Sequence, residues 1–210
     1  MKKSIYIIIS RTNTKMGKFI RTVTQYDYNH VSLSLNDTLT PMYSFARYHL
    51  DKPFTGGFVE ESWLRYLLKD KDIELIIFDI EIEKSVYEKS VELLNRFIAS
   101  KEEHRYNFVE AIRSYFPLNQ KVEGTNHTCL SFVVAVLNEL GVLEKETSIK
   151  NIKKLYEEIE EYDHIKRVIN REERQEFLKY HEWNNDEYLK KSNSLLRGLI
   201  SQVKLRRRQK

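Results

Sequence analysis

From His30 to Phe45 the chain carries its most constraining pattern. His30-Val31-Ser32-Leu33-Ser34-Leu35 alternates polar and apolar residues, Asn36-Asp37 supplies turn-forming side chains, and Leu39 to Phe45 returns. A period of two turns Val31, Leu33 and Leu35 to one face and His30, Ser32 and Ser34 to the other. The segment therefore reads as an antiparallel hairpin with one face to be covered. Pro41 lacks an amide proton, so it belongs at an edge or at the beginning of the return strand. Ile5-Tyr6-Ile7-Ile8-Ile9 is short, β-branched and aromatic, as a buried strand is, and Ile73 to Ile82 reads the same way.

Helical spacing fills the intervals. Met16 to Gln25 reads as a short helix presenting Phe19, Ile20 and Val23. Val59 to Leu68 is predicted as a helix with Trp63, Leu64 and Leu67 on one side. Val86, Tyr87, Val91, Leu94, Phe97 and Ile98 mark a helix from Lys84 to Ser100. Tyr106 to Phe116 reads as another, ended by Pro117, and Cys129 to Leu140 as a buried helix stopped by Gly141. Arg47 to Gly57, with Pro53 and Gly56-Gly57, is a loop, and so is Leu118 to Thr128. This mixture predicts an α+β fold, a small antiparallel sheet packed on helices.

From Ile149 onward the chain reads as helical and highly charged. Residues 151–210 hold 15 basic and 11 acidic side chains, whereas the first 150 residues balance at 20 of each. The whole net charge of +4 thus lies in the last third, with Lys204, Arg206, Arg207, Arg208 and Lys210 at the end. The reading is a domain over residues 1–145 followed by a charged helical extension over 146–210. Leu155, Ile159, Ile165, Val168 and Ile169, then Leu195, Leu196, Leu199, Ile200 and Val203, give the extension apolar positions. They suit packing on the domain, self-association or a surface, and the basic end suits an anionic partner or a solvated terminus. So small an overall charge does not by itself call for nucleic acid.

Ile5 to Ile9 is shorter than the roughly 7–15 apolar residues of a signal-peptide core, and no run approaches the ~20 of a membrane span. One cysteine among 210 residues leaves no internal disulfide and no multi-cysteine zinc site. The expectation is a soluble, cytoplasmic protein.

That cysteine stands where chemistry is favoured. Asn126-His127-Thr128-Cys129 runs straight into Leu130-Ser131-Phe132-Val133-Val134-Ala135-Val136-Leu137, so Cys129 falls in the first turn, with Thr128 or Asn126 as N-cap. The positive end of a helix favours thiolate, the nucleophilic form. A small buried core residue is the alternative reading. His30, at the start of its strand, is a candidate base to take the thiol proton and return it to a leaving group; a surface histidine is its alternative. Ser44, read as lying across the hairpin from His30, is the candidate third residue that would orient the ring.

His127 with Cys129 offers two metal ligands where zinc takes four, so no metal is expected. No phosphate-binding glycine motif is present, and no cofactor is expected. Tyr106, Tyr115 and Phe116 with Arg105 and Arg113 read as core or as a substrate groove.

Two segments together carry a resemblance. Asn29-His30-Val31-Ser32-Leu33-Ser34-Leu35-Asn36-Asp37 with Met42-Tyr43-Ser44-Phe45-Ala46-Arg47 resembles the histidine hairpin of NlpC-type papain-like cysteine hydrolases, where a second polar residue, often His, Asn, Gln or Glu, follows after a turn. Thr128-Cys129-Leu130-Ser131-Phe132-Val133 resembles their nucleophile helix. Here His30 precedes Cys129, the order of the circularly permuted branch, which includes YiiX-like proteins and, more distantly, the lecithin:retinol acyltransferase group. Pro53-Phe54-Thr55-Gly56-Gly57-Phe58 and Arg105-Tyr106-Asn107-Phe108 also look like bacterial members.

The resemblance covers residues 5–143 and implies a permuted papain-like fold with Cys129, His30 and Ser44 as the catalytic group. The reaction it implies is cleavage of an amide in a peptide or peptidoglycan fragment through a thioacyl-enzyme, with the Cys129 amide as one oxyanion donor. A second donor would come from Arg11 to Lys15, Tyr26 or Tyr28. A non-catalytic binding module of the same fold, or a lipid acyltransferase or thioesterase, is the alternative.

Overall fold

The computed structural model describes residues 1–49, 55–66, 72–101, 105–106, 126–144, 149–170 and 172–173. Its centre is strand β1 (Lys2–Arg11), which buries Ile5, Ile7 and Ile9 on one side and Ile8 on the other. A strand apolar on both faces belongs in the middle of a sheet. β1 is flanked by β2 (His30–Ser34), with Ile7 opposite Leu33 and Ile9 opposite Val31, and by β5 (Ile73–Glu83), with Ile7 opposite Phe78. With β3 (Met42–Arg47), β4 (Gly56–Glu61) and β8 (His164–Ile169) they form a six-stranded sheet in the order β4-β3-β2-β1-β5-β8. Every neighbouring pair in it is antiparallel. A short parallel pair, β6 (Arg105–Tyr106) and β7 (Asn126–His127), forms a second, two-stranded sheet.

Among the described residues there are four α-helices: α1 (Lys15–Thr24), α2 (Lys84–Ala99), α3 (Cys129–Glu139) and α4 (Ile152–Ile159). The fold is α+β, as the sequence predicts. The main core lies on the sheet face of Ile7, Val31, Leu33, Phe45 and Phe78, covered by Leu94 of α2, Phe132, Val133 and Leu137 of α3, and Leu155 and Ile159 of α4. A smaller cluster on the other face gathers Ile8, Met42, Leu75 and Ile77 with Leu39, Trp63 and Ile169.

Three expectations are corrected. Of the helix predicted over Val59 to Leu68, the part through Glu61 is instead β4, followed by a 3-10 turn at Trp63–Tyr66, and residues 67–68 lie outside the described residues. Gly56 lets β4 approach β3 so closely that a Cβ there would run into the Ala46 carbonyl, and the pairing buries Phe58 and Val59 as strand residues. Arg105–Tyr106 is strand rather than the start of a helix, and the rest of the helix predicted to Phe116 lies outside the described residues.

Residues 149–169 are neither uniformly helical nor separate from the first domain. Ile152, Leu155 and Ile159 are buried in the main core, and β8 pairs with β5, with Ile169 opposite Ile73 and His164 opposite Phe78. Residues 174–210, including the apolar positions from Leu195 to Val203 and the basic end, lie outside the described residues, as do Tyr115, Phe116 and Arg113. No helix among the described residues is long and apolar enough to cross a membrane.

Because β4 depends on contact with the Ala46 carbonyl, Gly56→Ala is expected to lower stability by about 1–3 kcal/mol, read from urea unfolding.

Candidate functional site

Aromatic packing fixes the front of α3 against the sheet. The Phe132 ring centroid lies 5.4 Å from that of Phe45, 5.6 Å from Phe58 and 5.1 Å from Phe97, edge-on or tilted. Aromatic pairs prefer such arrangements. At the helix start Thr128 and Ser131 form a reciprocal capping box: the Ser131 amide donates to Thr128 Oγ1 at 3.1 Å, and the Thr128 amide donates to Ser131 Oγ at 2.9 Å. The Cys129 amide, first of the helix, takes no part in that exchange. Cys129 is 8% exposed.

The structure brings Cys129 and His30 together, the cysteine side chain hydrogen-bonding the imidazole. The ring also meets a group that sequence reasoning does not single out. His30 Nε2 donates to Glu61 Oε1 at 2.7 Å. Glu61 is the last residue of β4 and is 0% exposed.

Ser44 is buried in the cluster but addresses the carboxylate, donating its hydroxyl to Glu61 Oε1 at 2.7 Å. The hairpin register accounts for this. Leu33 pairs with Tyr43 and Ser34 with Met42, so one further step sets Ser44 across from Ser32 rather than His30. Ser32 donates to the same oxygen at 2.7 Å. Met42 sits opposite Glu61 in the β3–β4 register, and the alternation puts Ser32, Ser44 and Glu61 on one sheet face.

The second carboxylate oxygen is held as well. Arg65, in the 3-10 turn after β4, donates to Glu61 Oε2 at 3.0 Å and also hydrogen-bonds the Arg47 carbonyl at the end of β3. Arg65 is itself buried. One signal in the sequence points to this pair: an arginine four residues beyond a glutamate.

Burial works against both charges of the His30–Glu61 pair, and the partners overcome it. For His30 burial favours the neutral ring, but the charges of Glu61 and Cys129 and the hydrogen bonds to both raise it from 6.5 to about 10. For Glu61 burial favours the neutral acid, but the His30 charge and hydrogen bond, then Arg65 and Ser44, hold it well below the usual carboxylate range.

The strand before the site is pinned by a second polar cluster. Asn29 accepts the Thr12 amide at 2.9 Å, donates to Thr12 Oγ1 at 2.7 Å, and accepts from Arg21 at 2.9 Å. The Thr12 amide is therefore occupied. The Gly17 amide is likewise taken by the N-cap Thr14, at 2.9 Å. Tyr26 and Tyr28 line a small cleft with Thr24, Asn151, Ile152 and Lys153. His127 packs against Phe45, with ring centroids 5.1 Å apart. Among the described residues no three of His, Cys, Asp and Glu gather as a metal-binding group.

Comparison of this chain with models of protein families, with curated proteins and with solved structures gave no match.

The two shifts imply opposite pH dependences of stability. The raised His30 value contributes stability that is complete below 6.5 and lost as pH rises through about 10. The lowered Glu61 value contributes stability present above 4.5 and lost as acid protonates the carboxylate. Thermal unfolding followed from about pH 6 to about pH 10 is expected to show a falling Tm, and Glu61→Gln, by removing the charge that holds the imidazolium, is expected to flatten that fall.

Proposed function

We propose that this chain is a cysteine hydrolase with a permuted papain-like fold, cleaving an amide in a peptide or peptidoglycan-derived fragment. One observation carries the reading: the Cys129 side chain hydrogen-bonds His30, whose Nε2 is bonded to a buried carboxylate. Nucleophile, base and orienting group then stand in the order that covalent catalysis uses. Glu61 takes the orienting role, and Ser44 supports it by holding Glu61.

In the proposed reaction the Cys129 thiolate attacks the amide carbon and forms a C–S bond. The imidazolium of His30 gives its proton to the nitrogen as the C–N bond breaks, and the amine leaves. Neutral His30 then takes a proton from water, whose oxygen attacks the thioester. The C–S bond breaks, the acid departs, and thiolate and imidazolium are restored. In this reading the Cys129 amide at the helix start donates to the oxyanion in both halves.

A non-catalytic module of the same fold is the second reading. It is favoured by how little of the pair reaches the surface, 8% of Cys129 and 9% of His30. One experiment separates the two. The rate at which iodoacetamide alkylates the single thiol near neutral pH is measured on one sample, and a second, unalkylated sample is incubated with a panel of peptide amides and peptidoglycan fragments while mass spectrometry follows acylation of Cys129. Catalysis is expected to give alkylation faster than a free-thiol model, slowed by His30→Ala, and turnover reduced by roughly 10³-fold or more in Cys129→Ala and His30→Ala. Alkylation at the free-thiol rate, unaffected by His30→Ala, would overturn the hydrolase reading.

A further inference from the structure

Four ionisable side chains meet at this site in one chain of contacts: Cys129 to His30, His30 to Glu61, and Glu61 to Arg65. The cysteine and histidine are 8% and 9% exposed, Glu61 is 0% and Arg65 6% exposed. In so dry a place net charge is costly, so the number of positive and negative groups matters as much as their spacing. One imidazolium can balance one anion. The reading proposed above asks for two, a thiolate and a carboxylate.

We infer that Arg65 is a positioning residue that supplies the fourth charge, allowing the site to keep a thiolate and the orienting carboxylate ionised together around a single imidazolium. The inference deepens the hydrolase reading and rests on it. Arg65 acts through Glu61. It holds Oε2 at 3.0 Å, leaving Oε1 to His30, and its bond to the Arg47 carbonyl anchors the guanidinium on the backbone of β3. Among the described residues, the further hydroxyls that meet Glu61 or stand across from the ring are neutral. Ser32 and Ser44 donate to Oε1, and Ser10 of β1, directly opposite His30, carries a buried hydroxyl without a hydrogen-bond partner. Arg11, next along β1, is paired with Glu74, and His127, before α3, packs on Phe45.

Removing the guanidinium leaves two anions against one cation, and the cluster relieves the imbalance by taking up a proton. At neutral pH the thiolate is then depleted. Removing Glu61 and Arg65 together restores the balance between Cys129 and His30. A purely architectural arginine would behave otherwise, because the double variant would be at least as impaired as the single one.

The test is the pH profile of iodoacetamide alkylation of Cys129 in the full chain, with circular dichroism to verify folding. Arg65→Met is expected to move the midpoint upward by about one pH unit or more, slowing alkylation at neutral pH by on the order of tenfold. Arg65→Lys is expected to stay near the parent, and the Glu61→Gln, Arg65→Met double variant to return toward it. Should Arg65→Met alone not fold, Glu61→Gln against the double variant carries the same comparison, and loss of the guanidinium must again raise the midpoint. A midpoint indifferent to Arg65 in either background, or a double variant displaced as far as the single, overturns the inference. If the parent itself alkylates no faster than a free thiol, the hydrolase reading fails instead.

Discussion

A carboxylate with no access to solvent organises one end of this molecule. Glu61 accepts from residues on β2, β3 and the 3-10 turn: His30, Ser32 and Ser44 at one oxygen, Arg65 at the other. Leaving a buried charge uncompensated costs about 3–5 kcal/mol, so each donor is tied to the others. The strands cannot slide past one another without breaking bonds that water is not present to replace. Register in this part of the sheet is therefore specified by polar contacts as well as by apolar packing.

The two faces of the sheet divide the labour. On one, Phe45, Phe58, Phe97 and Phe132 interlock and leave the first turn of α3 little freedom. On the other, the serines and Glu61 form the polar group while Met42 and Trp63 belong to the apolar cluster around it. Cys129 enters from the helical side and the carboxylate from the strand side, and His30 lies between them at the start of β2. Rigid packing on one face and saturated hydrogen bonds on the other hold the same imidazole, which is the kind of support a precise site requires.

Much of this could be read from the chain alone, and the remainder was hidden for physical reasons. Strict alternation exposed the hairpin, and a capping threonine ahead of an apolar run exposed the start of α3. Both are local signals. Glu61 was hidden because Gly56-Gly57 looks like loop punctuation and Val59, Trp63, Leu64 and Leu67 fit a helical spacing; only pairing with β3 makes the segment a strand. Ser44 was placed on the correct face but two residues from its true cross-strand neighbour, since the hairpin turn does not declare its register. β8 was hidden because Ile165 and Val168 are exposed and only Ile169 is deeply buried, which leaves no alternating pattern to find.

The placement of β8 bears on how the chain reaches its native state. Lys2 is paired with Glu83, and Ile73 with Ile169, so the middle of the sheet is made by partners far apart in sequence. Topologies of high contact order fold slowly, because chain entropy is surrendered before the pairing repays it. During synthesis β5 would remain an open edge until residue 169 had left the ribosome, displaying unpaired amides beside Ile73, Leu75 and Ile77. Until then the nascent chain presents a sticky border of the kind that chaperones shield, and the segment that looked like an appendage is what closes it.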